Sequence, residues 1–500
     1  MLRKVSEAIK KSPLEFVAVF LILSLAFFLR VYRIDQLLGF YYDQGRDALV
    51  IWDLIHNGKF FLIGPTTGIE GVFRGPFYYY LITPFYWLGN GNPVWPSIFL
   101  SLTTVFASFL LYLLGRKVGG FVTGFIVLLL SSFSYQIFYA SRWLSNPTPM
   151  LLLSVIFVWA LYEIWKGKTR WWPVAVFVAG LSLFHFGSAG ELYYFLAMLV
   201  VFLAKKKILG VKIIVVSAVL LVFTALPQMI FDFRHQQILS KNFTRSFVTG
   251  QSFAFPTKQF MKDKLVFYHD VSTYKIFPQR SHTQAFFLIA MAVLFIYYFR
   301  ELVQKDLVKV LLIILASPIL GLVFFKGNYG NIYDYYLTGY YLPFLLLVAV
   351  VVDFLWQQKL LYKLFIIWFG LLFLFTNWGI IRGTMLDSGN DFRSVVHQNQ
   401  RLAIDWIFQN AGGKDFNVDV YVPPVIPYAY NYLFKWLGNT KYGYVSKEEN
   451  ISLLYLVYEV DSPHPERLEA WMKRQDGIAK SVEIQKFGGI TVEKRIRYAK

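Results

Sequence analysis

The sequence contains no cysteine, and it is poor in charged residues for its length. The missing cysteine excludes a disulfide framework, a thiol nucleophile and a thiolate metal site. Asp, Glu, Lys and Arg make up 16% of the 500 residues, whereas about 25% is usual in soluble domains. Hydrophobic residues make up 56%, and the mean hydropathy is +0.48. A chain of this composition requires lipid around much of its surface.

Apolar segments of membrane-spanning length recur along most of the chain. One span needs about 20 predominantly apolar residues. This criterion predicts a polytopic α-helical membrane protein, with a transmembrane domain over 1–384 and a small extracytoplasmic α/β domain over 385–500. The eleven predicted spans are 14–33, 93–114, 121–142, 148–165, 171–187, 191–204, 212–231, 283–299, 307–325, 335–356 and 364–381.

Membrane topology explains the basic excess of the chain. A net charge of +19 could suggest nucleic acid, but Lys and Arg punctuate the apolar runs instead of gathering on one soluble face. Basic segments at 3–11, 116–117, 166–170 and 205–207 occur in every second loop, as the positive-inside rule requires of cytoplasmic loops. We therefore expect a cytoplasmic N-terminus with an uncleaved first span. The long loops 34–92 and 232–282 and the C-terminal domain would then lie outside.

The C-terminal domain shows the pattern of a small α/β unit. Helices are predicted near 401–409, 428–437 and 465–474, and strands at 418–422, 453–460 and 489–494. Gly412 and Gly413 end the first of these helices. No nucleotide-binding glycine fingerprint is present. Support, docking and acceptor recognition are all open as roles for this domain.

The first outer loop gathers polar residues just beyond the first span. Asp43 occupies an N-cap position and opens an amphipathic stretch that ends at Asn57-Gly58. Such a helix would lie flat at the membrane interface. Asp43 and Asp47 are one turn apart and share a face of it. Further along the loop, Arg74 and a Gly-Pro turn add a cation at the depth of a lipid phosphate.

Four short motifs in this region resemble the C-type glycosyltransferase superfamily, in particular the branch of protein O-mannosyltransferases and lipid A aminoarabinose transferases. They are the exit of span one at 30–35, the Asp-Glu-Ala-like motif at 43–48, the turn with aromatic residues at 74–80, and Leu-Gly-Arg at 114–116. Their order, spacing and topology together are similar to those of the family. The resemblance implies a GT-C-like fold of about eleven transmembrane helices.

The resemblance also implies roles for individual residues. The catalytic carboxylate of the family falls on Asp43, and its phosphate-binding cation falls on Arg74. Two positions depart from the family pattern. Gln44 replaces the second acid of the motif, and Asn146 stands where relatives carry an acid after span three. Asp47 is a candidate substitute for the missing neighbouring carboxylate.

These groups fit glycosyl transfer from a polyprenyl-phosphate sugar. An acceptor hydroxyl attacks C1 while the phosphate leaves, and a positioned carboxylate that accepts its proton contributes about 10²–10⁴-fold. A cation beside the phosphate stabilises the charge that develops as the bond breaks. We assign the first task to Asp43 and the second to Arg74. A single displacement predicts inversion at C1, because no second carboxylate is placed as a nucleophile.

Weaker candidates lie near the same membrane face. The motif at 232–235 follows a Leu-Pro-containing span as in the family, and Arg234 and His235 are its candidates for the donor phosphate. Possible substrate-binding residues are Arg142, Asn146, His185, Glu191, Tyr79 and Asp334.

Each assignment has a structural alternative. Asp43 can cap a helix without chemistry, and Arg74 can reach lipid headgroups as interfacial arginines do. Arg142 and Asn146 can simply end one span and begin the next. His185 can be a packed or interfacial histidine, and Tyr79 and the other aromatic residues can belong to an interfacial aromatic belt. Arg30 and Arg33 are expected to reach headgroups or to pair with Asp35.

The leading hypothesis is therefore an inverting, lipid-phosphate-dependent glycosyltransferase acting at the extracytoplasmic face. A secondary transporter or flippase is the alternative, although it would place ionisable groups near the bilayer midplane in repeated halves. The expected partners are an undecaprenyl- or dolichyl-phosphate sugar, a hydroxyl acceptor on protein, glycan or lipid, and membrane lipids; nucleic acid is not expected. A divalent cation is compatible with the chemistry, but no His, Asp or Glu spacing predicts a metal site.

Overall fold

The computed structural model describes residues 12–248, 257–279, 281–325, 332–423 and 426–498. The basic segment 3–11 lies outside these residues. Helices form most of the first 386 residues, and they are Pro13–Val31, Ile34–Leu37, Tyr42–Asn57, Phe77–Leu88, Val94–Phe133, Tyr135–Arg142, Met150–Trp165, Trp172–Leu181, Tyr194–Lys205, Val211–Arg234, Ile238–Val248, Lys258–Tyr274, His282–Tyr297, Phe299–Leu302, Asp306–Leu322, Tyr341–Trp356 and Leu360–Leu386.

Five segments of the described chain are long and apolar enough to cross a membrane. They are Pro13–Val31, Val94–Phe133, Val211–Arg234, Asp334–Trp356 and Leu360–Leu386. Each of the eleven predicted spans falls on a helix, but several of these helices are shorter than a bilayer crossing. The predicted span 171–187, for example, changes at Ser182 from an α-helix to a π-helical turn that ends at Phe186. The polytopic helical fold is therefore as expected, while the number of spans stays a prediction.

Glycine separates the second and third predicted spans. Helix Val94–Phe133 contains Gly120 at φ +83°, in the left-handed region that side chains disfavour. Beyond this break the chain folds back, because a Cβ on Gly115 would lie 3.0 Å from the Cα of Gly124. The two halves can approach this closely because both contact positions lack a side chain.

Arg30 and Arg33 correct the expectation for the exit of span one. Arg30 is fully buried and donates to the carbonyl oxygens of Ala26, Ser131 and Ser132. Arg33 donates to the Gln36 side chain and the Met385 carbonyl. Neither forms an ion pair with Asp35 in the described structure, because the neighbouring helices supply carbonyl acceptors closer to each guanidinium.

The C-terminal residues form a four-stranded sheet with helices, as expected. Its strands are β1 (Asn417–Tyr421), β2 (Leu453–Glu459), β3 (Ala479–Phe487) and β4 (Ile490–Arg497), in the order β1-β2-β4-β3. β1 and β2 are parallel, and the other neighbours are antiparallel. The helices are His397–Ala411, Tyr428–Leu437 and Pro465–Asp476. All six predicted elements are confirmed, and β3 was missed.

A helix of this domain packs onto a helix of the loop that follows the first predicted span. Helix Tyr428–Leu437, named here the aromatic helix, packs along helix Tyr42–Asn57, named here the Asp43 helix. Trp52 of the Asp43 helix and Tyr432 of the aromatic helix meet edge to face, with ring centroids 6.2 Å apart. The apolar face predicted to rest on the membrane interface is therefore covered in part by the protein itself.

Candidate active site

The Asp43 helix begins one residue earlier than the sequence suggests. Tyr41 is its N-cap residue in extended conformation, and Gln44 Oε1 accepts the Tyr41 N–H at 3.1 Å. Gly58, at φ +61°, ends the helix as expected. Asp43 is therefore not the N-cap. Because Gln44 accepts the N–H of the cap residue, the Asp43 carboxylate is not needed for capping, and its side chain is 63% exposed.

Arg46 pairs with two carboxylates on one face of this helix. Its Nη1 lies 2.8 Å from Oδ1 of Asp43, and its Nη2 lies 2.8 Å from Oδ1 of Asp47. Nη1 also donates to Thr66 Oγ1 at 2.9 Å. The i, i+3 spacing of Asp43 and Arg46 allows the first contact within one helical turn. The ion pair with this guanidinium thus fixes the side chain of Asp43.

Asp47 lies behind this ion pair and not in the cavity that Asp43 faces. It is buried, and its Oδ1 accepts the hydroxyl of Tyr79 at 2.8 Å. Burial raises the pKa of Asp47 from 3.8 to about 6, although Arg46 and Tyr79 oppose that shift. Asp47 is absent from the cavity wall that Asp43 and Arg46 line, so the structure does not support the expectation of a second catalytic carboxylate at this position. Its contacts suit it to position Arg46.

A hairpin-like loop presents Arg74. The N–H of Gly64 donates to the Arg74 carbonyl at 2.6 Å, and the N–H of Arg74 donates to the Pro65 carbonyl at 2.8 Å. The next residue must be glycine, because a Cβ on Gly75 would lie 2.2 Å from the His185 ring. Arg74 Nη1 donates to the Leu183 carbonyl at 3.1 Å. Its other guanidinium donors have no partner among the residues that the structure describes.

Asp43 and Arg74 line the same cavity of about 1000 Å³. This volume lies at the upper end of the range of small-molecule binding sites. Polar and apolar side chains share its walls. The polar residues include Asp43, Arg46, Thr66, Arg74, Asn146, Asp232 and Asp334, and the apolar residues include Leu192, Ala225, Met229, Leu239, Phe243, Leu322 and Phe325.

Asn146 and Asp334 are the other predicted site residues in the cavity wall. Asn146 Nδ2 donates to the Phe186 carbonyl at 3.3 Å. Asp334 accepts two hydrogen bonds from Lys275 Nζ, at 2.9 and 3.0 Å, and one from the Tyr341 hydroxyl at 2.8 Å. Lys275 itself is buried. Lys275 therefore neutralises the charge of Asp334, while the Asp334 carboxylate stays accessible to the cavity.

Three other predicted site residues stabilise the protein around the cavity without lining it. His185 stacks on Phe77 with ring centroids 3.9 Å apart, and its Nε2 lies 2.7 Å from the Thr224 carbonyl oxygen. Glu191 accepts the N–H groups of Ser188 and Gly339, at 2.8 and 2.7 Å. Tyr79 donates to Asp47, as described above.

Arg142, Arg234 and His235 also lie away from the cavity. Arg142 is 8% exposed, its guanidinium carbon lies 5.1 Å from the centre of the Phe138 ring, and its terminal nitrogens have no hydrogen-bond partner in the described structure. Arg234 and His235 are exposed at the end of helix Val211–Arg234. His235 Nδ1 lies 2.8 Å from the Phe231 carbonyl oxygen. The structure does not bring this pair to Arg74.

Sequence reasoning assigned no role to Arg46, Gln44 or Lys275. Arg46 could have been found from its position between two acids one turn apart. Gln44, at the second acid position of the motif, is buried and donates to the Leu144 carbonyl at 3.1 Å. Lys275 gave no local signal, since its partner Asp334 is 59 residues away. No group of three His, Cys, Asp or Glu side chains in the described ranges is arranged to bind a metal ion.

Comparisons with known proteins agree on the fold. Residues 74–231 match the family described as dolichyl-phosphate-mannose-protein mannosyltransferase. A crystal structure of ArnT from Cupriavidus metallidurans bound to undecaprenyl phosphate has a TM-score of 0.57 and 10% identity, covering 97% of this chain and 98% of that chain. The apo state of the same protein has a TM-score of 0.59 and 9% identity, with the same coverage. No curated protein sequence matches significantly.

The matched segment begins at Arg74, so Asp43 lies before it and its place in the site rests on the geometry above. The motifs at 74–80 and 114–116 lie within the matched segment, which is similar to the mannosyltransferase family. Over nearly the whole chain, the fold is similar to that of ArnT.

Proposed function

We propose that this protein transfers a sugar from a polyprenyl-phosphate carrier to an acceptor hydroxyl at the extracytoplasmic membrane face, with inversion at C1. One observation carries the proposal: a carboxylate, Asp43, and a cation with free donors, Arg74, line one cavity that also has apolar walls. The undecaprenyl phosphate bound to the similarly folded ArnT supports a lipid-phosphate donor.

The chemistry follows from the groups in the cavity. The acceptor oxygen attacks C1, the bond from C1 to the phosphate oxygen breaks, and the acceptor proton passes to the Asp43 carboxylate. The electron pair of the broken bond leaves with the phosphate. Arg74 donates to the phosphate oxygens and stabilises the charge that develops there more than it stabilises the ground state. Attack opposite the leaving group inverts the configuration at C1.

Arg46 fixes the direction of the proposed base. Its guanidinium contacts Oδ1 of Asp43 and Oδ1 of Asp47 at 2.8 Å each. Because Asp47 is buried and also accepts the Tyr79 hydroxyl, it holds the guanidinium in place. The three side chains therefore act as one unit that holds the Asp43 carboxylate in the cavity wall.

The proposed site requires a defined orientation. The N-terminus lies in the cytoplasm, the transmembrane domain extends over 1–384, and the domain over 385–500 lies outside, as the distribution of basic loops indicates. Asp334 and Asn146 then contact the sugar or acceptor from the cavity wall.

The test is transfer by the purified protein from synthetic polyprenyl-phosphate sugars to a panel of hydroxyl acceptors. We expect the Asp43→Asn variant to lose at least 100-fold in kcat, because the amide cannot accept the proton. Asp35→Asn is the matched control, since Asp35 is an exposed acid of the same loop that does not line the cavity. Equal activity of Asp43→Asn and the wild type would remove Asp43 from this role.

A further inference from the structure

The chain just before Asp43 hydrogen-bonds to the C-terminal domain, more than 350 residues away in sequence. The backbone N–H of His397 donates to the Leu38 carbonyl at 3.0 Å. Gln400 Nε2 donates to the Phe40 carbonyl at 2.9 Å, in a buried contact. Both donors belong to helix His397–Ala411 and both acceptors to the turn that enters the Asp43 helix. The C-terminal domain therefore fixes the entry of this helix.

The aromatic helix touches the Asp43 helix at backbone distance. A Cβ on Gly45 would lie 2.2 Å from the amide nitrogen of Ala429, so no larger residue fits while the two helices keep this separation. Next to this contact, the rings of Tyr42 and Tyr428 meet edge to face with centroids 4.9 Å apart. Gly45 is buried and does not line the cavity. This close contact between the two domains is therefore two residues from Asp43.

Further contacts extend along the aromatic helix. Lys435 Nζ lies 3.2 Å from Asp53 Oδ1, near the other end of the Asp43 helix. Trp436 Nε1 donates to the Asn90 carbonyl at 2.7 Å. Together, the Gly45–Ala429 contact and the Lys435–Asp53 pair place the aromatic helix against both ends of the Asp43 helix, so the aromatic helix restricts the tilt of the Asp43 helix as well as its depth.

Arg74 has a different support. The N–H of Gly75 donates to the Phe184 carbonyl at 2.6 Å, and Gln228 Nε2 donates to the Phe73 carbonyl at 2.7 Å. Both partners of this loop belong to helices of the transmembrane domain. The membrane-side face of the Asp43 helix is connected to that domain too, through Gln44 and Asp47. The Asp43 helix is thus held by both the C-terminal domain and the transmembrane domain, whereas the loop that carries Arg74 is held by the transmembrane domain.

We propose that the C-terminal domain positions the carboxylate of Asp43, with Gly45 and Gln400 as positioning residues that set its distance from Arg74. This inference rests on the proposed function, and it assigns the domain a task beyond docking or general support. A displacement of about 1 Å between reacting groups costs on the order of 10²-fold in rate. The domain therefore acts on the chemical step and not on binding of the donor phosphate.

Gly45→Ala is the sharpest test. The added methyl group changes no group in the cavity, and it forces Tyr428 and Ala429 away from the Asp43 helix. Alanine favours a helix by about 1 kcal/mol over glycine, so a loss of activity would not come from a weakened helix. We expect kcat for transfer to fall at least 10-fold, while KM for the synthetic polyprenyl-phosphate sugar stays within 3-fold.

Gly370→Ala is the matched control. Gly370 also lies inside a helix, Leu360–Leu386, and an added Cβ meets no atom within 4 Å. This variant should match the wild type in kcat and KM. Gln400→Met is the second variant from the C-terminal side, which keeps the side-chain volume but removes the bond to Phe40. We expect a smaller fall in kcat there, again with unchanged KM.

Hydrogen exchange of the amides of residues 42–48 separates this proposal from the proposed function. We expect faster exchange in Gly45→Ala and Gln400→Met than in the wild type and in Gly370→Ala, with unchanged elution on size exclusion. Unchanged exchange, unchanged kcat, or a loss that appears in KM alone would each overturn the positioning role. A wild type without transfer activity would refute the proposed function, and the exchange rates would still decide whether the domain positions the helix.

Discussion

Asp43 and Asp47 share the guanidinium of Arg46, at 2.8 Å each, yet the two carboxylates lie in different surroundings. The Asp43 side chain is 63% exposed and faces the cavity, whereas that of Asp47 is 8% exposed and accepts a bond from Tyr79. Arg46 therefore connects an accessible carboxylate to a buried one, so a change at Asp47 also affects how firmly Asp43 is held. The consequences of this arrangement can be measured.

Replacing Asp47 should weaken catalysis without abolishing it. In Asp47→Asn, Arg46 loses its buried carboxylate partner, so the guanidinium holds the Asp43 carboxylate less firmly in the cavity wall. We expect kcat to fall about 10-fold with KM for the donor unchanged, since transition-state proton transfer contributes about 10²–10⁴-fold in total. Steady-state kinetics on Asp47→Asn, Asp43→Asn and the Asp35→Asn control provide the comparison. A loss in Asp47→Asn as deep as that in Asp43→Asn would mean that Asp47 itself takes part in the chemistry.

Asp47 should also make stability depend on pH. Its pKa is raised from 3.8 to about 6 in the folded protein, so the folded state binds the proton more tightly than the unfolded state. This contribution to stability is fully present below about pH 4 and is lost as the pH rises through 6. A shift of this size corresponds to about 3 kcal/mol.

The measurement is the melting temperature of the detergent-solubilised protein between pH 4 and 7. The decrease over this range should be smaller in Asp47→Asn than in the wild type, because the amide does not titrate. Asp35→Asn should keep the wild-type slope. If the melting temperatures of all three proteins changed with pH by the same amount, burial of the Asp47 carboxyl would not contribute to the pH dependence of stability.

Local patterns predicted much of this fold. Hydropathy located the helices, and glycines at 58, 120 and 412 end helices where the chain takes a positive φ. Strand β3 was missed although Ser481 to Gln485 alternates polar and apolar residues. This strand is not a regular half-buried strand: its Val482 and Ile484 are exposed, and its register shifts between Ser481 and Glu483.

The site was less accessible from sequence, for a physical reason. Asp43 and Arg74 were predicted to lie together because motif spacing and membrane depth restrict them, and both line the cavity. The contacts of Gly45 with Ala429 and of Gln400 with Phe40 join segments that no local pattern relates. His185 was expected near substrate, but the π-helical turn at Ser182–Phe186 directs its ring onto Phe77. Long-range packing decides such positions, and one sequence does not record it.

Arg74 should affect the donor more than the acceptor. We expect Arg74→Gln to lower kcat/KM for the polyprenyl-phosphate sugar about 10²–10³-fold, since one preorganised donor to a developing charge is worth that much. Arg74→Lys should recover part of the loss, because it keeps the charge without the planar array of donors. Arg234→Gln is the control, as Arg234 is exposed outside the cavity. A loss in Arg234→Gln and none in Arg74→Gln would transfer the phosphate-binding role to the motif at 232–235.

Gln44 should resist conversion to the acid that relatives carry at this position. Its Nε2 donates to the Leu144 carbonyl in a buried contact, and its Oε1 accepts the N–H of Tyr41. In Gln44→Glu a carboxylate oxygen would face the Leu144 carbonyl oxygen, which leaves two buried acceptors without a donor. Such a loss costs about 1–3 kcal/mol, and more for a charged group.

We therefore expect a melting temperature several degrees below the wild type at pH 7 and partial recovery at lower pH, where the protonated carboxyl can donate a hydrogen bond to the Leu144 carbonyl oxygen. Gln36→Glu is the matched control, since Gln36 Oε1 already accepts from Arg33 and a carboxylate there gains an ion pair. If Gln44→Glu were as stable as the wild type, the first turn of the Asp43 helix would be able to shift so that the new carboxylate avoids the Leu144 carbonyl oxygen. The departure from the family motif would then reflect substrate chemistry and not packing.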